Sequence, residues 1–125
     1  MNKLLRIKHI AIVVKSIKKY LENSIYGLDQ KITYDEHQDA DICFVKTENV
    51  EMELLEPKSE KALAFKFLAQ NGEGLHHICF EVDDMHHAEE LIRARKMLKL
   101  PAAQGAKGVF AYTRNHELIE FSLKT

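Results

Sequence analysis

The chain has 125 residues, 18 basic and 19 acidic, for a formal net charge of −1; 46% are hydrophobic and 30% charged. This composition excludes a disordered or collagen-like chain, and the length suits one domain over residues 1–125 with one core. Balanced charge gives no reason to expect nucleic acid, whose binders usually carry a concentrated basic surface, and apolar runs of about five residues fall far short of the roughly 20 that span a bilayer. The opening residues lack a small-residue cleavage site after an apolar run, so no secretory signal is expected. Cys43 and Cys79 both lie in strand-like apolar runs and read as reduced core or pocket residues of a cytoplasmic protein.

In chain order, residues 6–14 form a predicted strand. Ser16 then caps a helix to about Asn23 with Ile17, Leu21 and Ile25 at helical spacing, and Tyr26-Gly27 ends it. Strands follow at about 30–35, 42–47 and 51–56, with a turn at Glu48-Asn49, and Pro57 closes the set. Ser59 caps a predicted linker helix over 60–70 with an apolar stripe of Leu63, Phe67 and Leu68, broken by the glycines of 71–74. A strand at 75–82 and a helix capped by Asp84 and running to about Leu98, with Leu91 and Ile92 inward, open a second set. Strands near 98–102, 108–114 and 117–123 complete it.

The two sets repeat. Residues 8–17 match residues 76–85 at an offset of 68, and Met52-Glu53-Leu54 matches Ile119-Glu120-Phe121 at an offset of 67. The chain thus reads as two βαβββ modules, at about 5–57 and 74–124.

Of seven histidines, His37, His86, His87 and His116 fall in loops, turns or a helix start and read as surface residues. His9 and His77 occupy the same place in their repeats. Strand alternation puts His9 with Ala11 and Val13, and His77 with Cys79 and Glu81, opposite the larger apolar faces expected to meet helices. His76 falls on the opposite side from His77. Glu53, between Met52 and Leu54, and Glu120, between Ile119 and Phe121, lie on the less apolar faces of their strands. A carboxylate buried there is costly unless paired or bound to a cation.

A pseudo-twofold packing of the modules would bring His9, Glu53, His77 and Glu120 together. Two imidazole nitrogens and two carboxylate oxygens suit one first-row divalent ion, with two positions left for water or substrate in six-coordination. Zn, Co, Ni, Mn and Fe all fit such a set. Two alternatives stand beside this reading: the glutamates face solvent on a one-sided sheet, or the histidines are satisfied core residues.

Several stretches carry a family resemblance. They are His9 within residues 7–14, Met-Glu-Leu-Leu-Glu-Pro at 52–57, Gly-Glu-Gly-Leu-His-His-Ile-Cys-Phe-Glu-Val-Asp-Asp at 72–84, and Leu-Ile-Glu-Phe at 118–121. Together they resemble the vicinal-oxygen-chelate (glyoxalase/bleomycin-resistance) superfamily, and within it the methylmalonyl-CoA epimerases. The resemblance implies an α+β fold of two βαβββ modules forming a curled mixed sheet around a metal cavity. It also implies a divalent ion on His9, Glu53, His77 and Glu120, and a homodimer.

In the epimerases, a proton leaves the carbon beside a thioester carbonyl and returns on the other face. By that resemblance the partner is an acyl-CoA thioester, with neither nucleic acid nor membrane involved. A cation would stabilise the oxyanion formed, and Glu120 is the first candidate to move the proton. One alternative is a glyoxalase-I-type lactoylglutathione lyase acting on a thiol hemithioacetal. Another is a non-catalytic protein of the same superfamily that binds a small-molecule drug.

The chain also departs from the epimerase pattern. A second acid/base would fall in Asp41-Ile42-Cys43-Phe44, where Asp41 is the candidate. Segment 96–108, with its glycine loop at 105–108, and the hairpin at 113–116 are shorter than the family's loops bordering the substrate pocket.

Overall fold

Alternating burial along Arg6–Val13 builds the first strand. The computed structural model describes residues 4–101 and 108–124. Its elements are β1 (Arg6–Val13), α1 (Ile17–Glu22), β2 (Ile32–Asp35), β3 (Ala40–Lys46), β4 (Glu51–Pro57), α2 (Phe65–Asn71), β5 (Gly74–Val82), α3 (Met85–Ala94), β6 (Leu98–Lys99), β7 (Gly108–Tyr112) and β8 (Leu118–Leu123). A strand, a helix and three strands occur twice, with α2 between them, giving an α+β fold of two βαβββ modules. Strand order repeats as well, β2-β3-β4-β1 in the first module and β6-β7-β8-β5 in the second. Residues 105–107 of the expected glycine loop lie outside the described residues.

Packing divides the chain into two units, residues 10–76 and residues 1–9 with 77–125. The division runs through β1 and β5 rather than between the modules. The start of β1, ending at His9, therefore belongs with β5, β8, β7 and β6.

In the unit of residues 10–76, β2, β3 and β4 pair antiparallel, with Cys43 opposite Leu54 and Phe44 opposite Glu53. One face packs Val14, Cys43, Val45 and Leu54 against Ile17 and Leu21 of α1. The other joins Ala11, Val13, Ile42 and Leu55 to Ala64 and to Phe67 and Leu68 of α2. Ser16 caps α1 by accepting the Lys19 N–H at 3.2 Å, and Glu56 accepts the Ile17 N–H at 2.9 Å. Because α1 stops at Glu22, Ile25 lies beyond it and is exposed, contrary to the expected helical stripe.

The linker helix is also shorter than expected. Ser59 is engaged by Asp39 and accepts only the nearby Lys61 N–H, so residues 60–64 form turns. The helix begins at Phe65, and Leu63 is exposed.

In the other unit, β5 pairs parallel with β8, while β7 is antiparallel to both β8 and β6. Val82, Ala111 and Phe121 pack against Ala88 and Ile92 of α3, as the apolar alternation requires. Asp84 caps α3 by accepting the His87 N–H at 2.8 Å. The helix ends at Ala94, four residues earlier than expected. Lys96 there takes φ 54°, and the Met97 N–H turns back to the Ile92 carbonyl at 2.9 Å. Among the described residues no helix is long and apolar enough to cross a membrane.

Candidate metal centre

Three of the four expected ligands meet within the unit of residues 1–9 and 77–125. His9 on β1, His77 on β5 and Glu120 on β8 stand on one face of their strands, the face opposite the α3-covered core. The Nε2–H groups of His9 and His77 each donate to the same Glu120 Oε1 atom, both at 3.1 Å. The imidazoles stand edge to face, with ring centres 5.6 Å apart and planes at 72°. Both histidines are buried, His77 fully at its side chain.

This arrangement needs the repeat and the register together. Cys79 lies opposite Glu120 across the parallel β5–β8 pair, and Phe110 lies opposite it across β7–β8. Phe110 packs its ring edge to face on His77 at 4.9 Å, fixing one side of that imidazole. The sequence reading missed Phe110; its alternation with Gly108 and Tyr112 on a strand beside Glu120 was the available signal.

The electrostatics are specific. Burial alone would raise the Glu120 carboxyl. The hydrogen bonds from His77 and His9, with the charge those rings carry when protonated, outweigh it and hold the group down to about 2. At neutral pH Glu120 is therefore a carboxylate, able to bind a cation or accept a proton.

Glu53 belongs to the unit of residues 10–76. It sits on β4 opposite Phe44 and is only 3% exposed. Its neighbours Met52 and Leu54 both pack into the α1 core, so alternation turns Glu53 to the other side. Asp41, the candidate second acid/base, is ion-paired with Lys58 at 3.2 Å, and Lys58 also reaches Glu56 at 3.7 Å.

The remaining histidines sort as follows. His37, His86 and His116 are exposed, whereas His87, expected at the surface, is half-buried on α3. His76 is buried with its ring edge-on to Phe67 of α2, 5.3 Å away. Among the described residues the donor chemistry converges on His9, His77 and Glu120: two neutral-capable imidazoles and a carboxylate. Such a set could hold a first-row divalent ion.

Comparison with known proteins identifies relatives of the chain and of its fold. The methylmalonyl-CoA epimerase, mitochondrial, of Dictyostelium discoideum is 33% identical over 97 residues, covering 74% of this chain and 58% of that protein. The chain thus spans little more than half the length of that relative. Among solved structures, a hypothetical protein from Bacillus halodurans C-125 superposes with a TM-score of 0.78 at 29% identity, covering 98% of this chain and 96% of the other. A methylmalonyl-CoA epimerase in complex with methylmalonyl-CoA and NH4+ has the same fold, with a TM-score of 0.72, 24% identity, and coverage of 98% and 96%. The family model described as Glyoxalase/Bleomycin resistance protein/Dioxygenase superfamily matches residues 8–113. With that match over most of its length and the duplicated βαβββ fold, the chain belongs to the glyoxalase/bleomycin resistance protein/dioxygenase superfamily.

Proposed function

We propose that the chain is a metal-dependent isomerase that moves a proton α to a thioester carbonyl, with methylmalonyl-CoA or a related acyl-CoA thioester as substrate. The observation that carries this reading is the convergence of His9 and His77 on one oxygen of Glu120 in a buried setting. We propose His9, Glu53, His77 and Glu120 as the ligand set. Glu53 enters it because it is a deeply buried carboxylate at the repeat position equivalent to Glu120.

A divalent cation held by these residues would supply positive charge where a carbonyl oxygen becomes an oxyanion. The protein's own groups do the rest. Glu120, ionised at neutral pH and oriented by the two imidazoles, can take up the α-proton; returning a proton on the opposite face, which inversion requires, needs a second acid. His9 and His77 fix the carboxylate's orientation, and Phe110 holds His77 and keeps water from that side of the ring. The working form in this reading is a cytoplasmic homodimer.

The test is α-proton exchange in deuterated water, followed by NMR, with methylmalonyl-CoA and separately with the glutathione hemithioacetal of methylglyoxal. Both run on protein loaded in turn with Co, Ni, Mn or Zn. Exchange on the thioester, abolished in Glu120→Gln, is expected. Turnover of the hemithioacetal alone would assign a lyase, and binding without turnover of either would assign a non-catalytic carrier.

A further inference from the structure

A glycine inside a strand costs stability, since it adds backbone entropy and packs nothing. Gly108 opens β7 in register with Ser122 of β8, on the face that carries Phe110 and Glu120. Its backbone does not need a glycine. Gly72 and Gly74 have positive φ, at 77° and 157°, with open space where a Cβ would go; Gly108 does not share that backbone region. What Gly108 lacks is room. A Cβ built there collides with the Glu120 Oε2 atom and presses on its Cδ and Cγ, each at 3.2 Å.

The carboxylate of Glu120 is therefore held from two directions. The imidazoles of His9 and His77 hold Oε1, while Oε2 lies over the bare Cα of Gly108. Any side chain at position 108 must push the carboxylate off the two histidines or distort the β7–β8 pair.

We propose that Gly108 is a positioning residue, kept without a side chain to seat the carboxylate of Glu120 against His9 and His77. The seat itself follows from packing; its consequence for metal affinity rests on the ligand role proposed for Glu120.

A thermal-stability cycle on the full chain tests the seat without relying on activity. Gly108→Ala is expected to lower Tm in the parent. In a Glu120→Ala background the new Cβ enters space the carboxylate has left, and alanine suits a strand better than glycine. The same substitution should therefore leave Tm unchanged or raise it there. If Gly108→Ala alone fails to fold, the double variant is still expected to fold at least as stably as Glu120→Ala. An equal drop in both backgrounds, no drop in the parent, or a double variant less stable than Glu120→Ala would each overturn the proposal.

A second arm reads Co²⁺ affinity by chelator competition. Gly108→Ala should weaken it on the order of tenfold or more, the usual cost of disturbing what orients a ligand. A parent that binds no Co²⁺ defeats the metal reading, and the Tm cycle still decides the seat.

Discussion

Sγ of Cys79 and Oγ of Ser122 lie 3.3 Å apart between β5 and β8, both side chains buried, with Cys79 directly opposite Glu120 in the ladder. Burial, and then the nearby Glu120 carboxylate, push this thiol above its ordinary range; burial alone does the same to Cys43. A thiol that cannot ionise is a poor nucleophile. Neither cysteine should be alkylated by N-ethylmaleimide in the native protein at pH 8, and both should be modified fully in denaturant, as read by intact mass. Rapid native labelling of Cys79 would mean that the face around Glu120 opens to solvent.

Acid should weaken the metal-free protein through Glu120. Its folded value, about 2, lies below the ordinary 4.5, so the folded state binds this proton less readily than the unfolded chain. The resulting stability, on the order of 3 kcal/mol, is complete above about pH 4.5 and is lost as pH falls toward about 2. Urea titrations of metal-stripped protein at stepped pH should show that decline, with a shallower slope in Glu120→Gln. Some slope should remain there, because Asp39 is also held below its ordinary value, first by its hydrogen bond with Ser59 and then by Tyr34.

Metal uptake should oppose protonation of the same imidazoles. A cation needs the Nε2 lone pairs of His9 and His77, whereas in the metal-free arrangement those nitrogens carry the protons given to Glu120. Each neutral ring must therefore carry its proton on Nδ1 when the cation is bound, and acid, which puts a proton on both nitrogens, should weaken uptake. Metal affinity read by chelator competition at stepped pH measures that weakening. His77→Ala should lose most bound metal by elemental analysis; an unchanged metal content would remove His77 from the ligand set.

Much of this site was legible in the sequence because its signal is local and doubled. Offsets of 68 and 67 place His9 with His77 and Glu53 with Glu120, and a strand's period of two decides which neighbours share their face. Less legible were the helix ends. Ile25 has helical spacing after Ile17 and Leu21, yet Asn23 closes the helix first, and no periodicity encodes where that happens. Ser59 looks like a cap, but its hydroxyl is taken by Asp39, which is distant in sequence. Gly108 resembled part of a glycine loop, and only the cross-strand placement of Glu120 reveals what it accommodates.

The real caps should be measurable. Asp84 accepts the His87 N–H at 2.8 Å and Ser16 accepts the Lys19 N–H at 3.2 Å. Asp84→Ala and Ser16→Ala should each cost about 1 kcal/mol in denaturant unfolding. Ser59→Ala should leave α2 in place, because it does not cap that helix, and should act only on the turn it shares with Asp39.

Leu54 and Ile25 make the sharpest contrast among the aliphatic residues of the first module. Leu54 is fully buried on β4, packed with Val14, Ile17, Leu21, Cys43 and Val45, and it is the neighbour that turns Glu53 to the opposite face. Leu54→Ala removes three buried carbons and leaves a cavity that the α1 contact can only partly close, at a cost of about 2–5 kcal/mol. Ile25 is 96% exposed and loses almost no buried area on truncation, so Ile25→Ala should fall within about 0.5 kcal/mol of the parent. Paired urea melts decide between this packing and a longer α1. If the helix continued through Ile25 and buried it, the two substitutions would cost similar amounts.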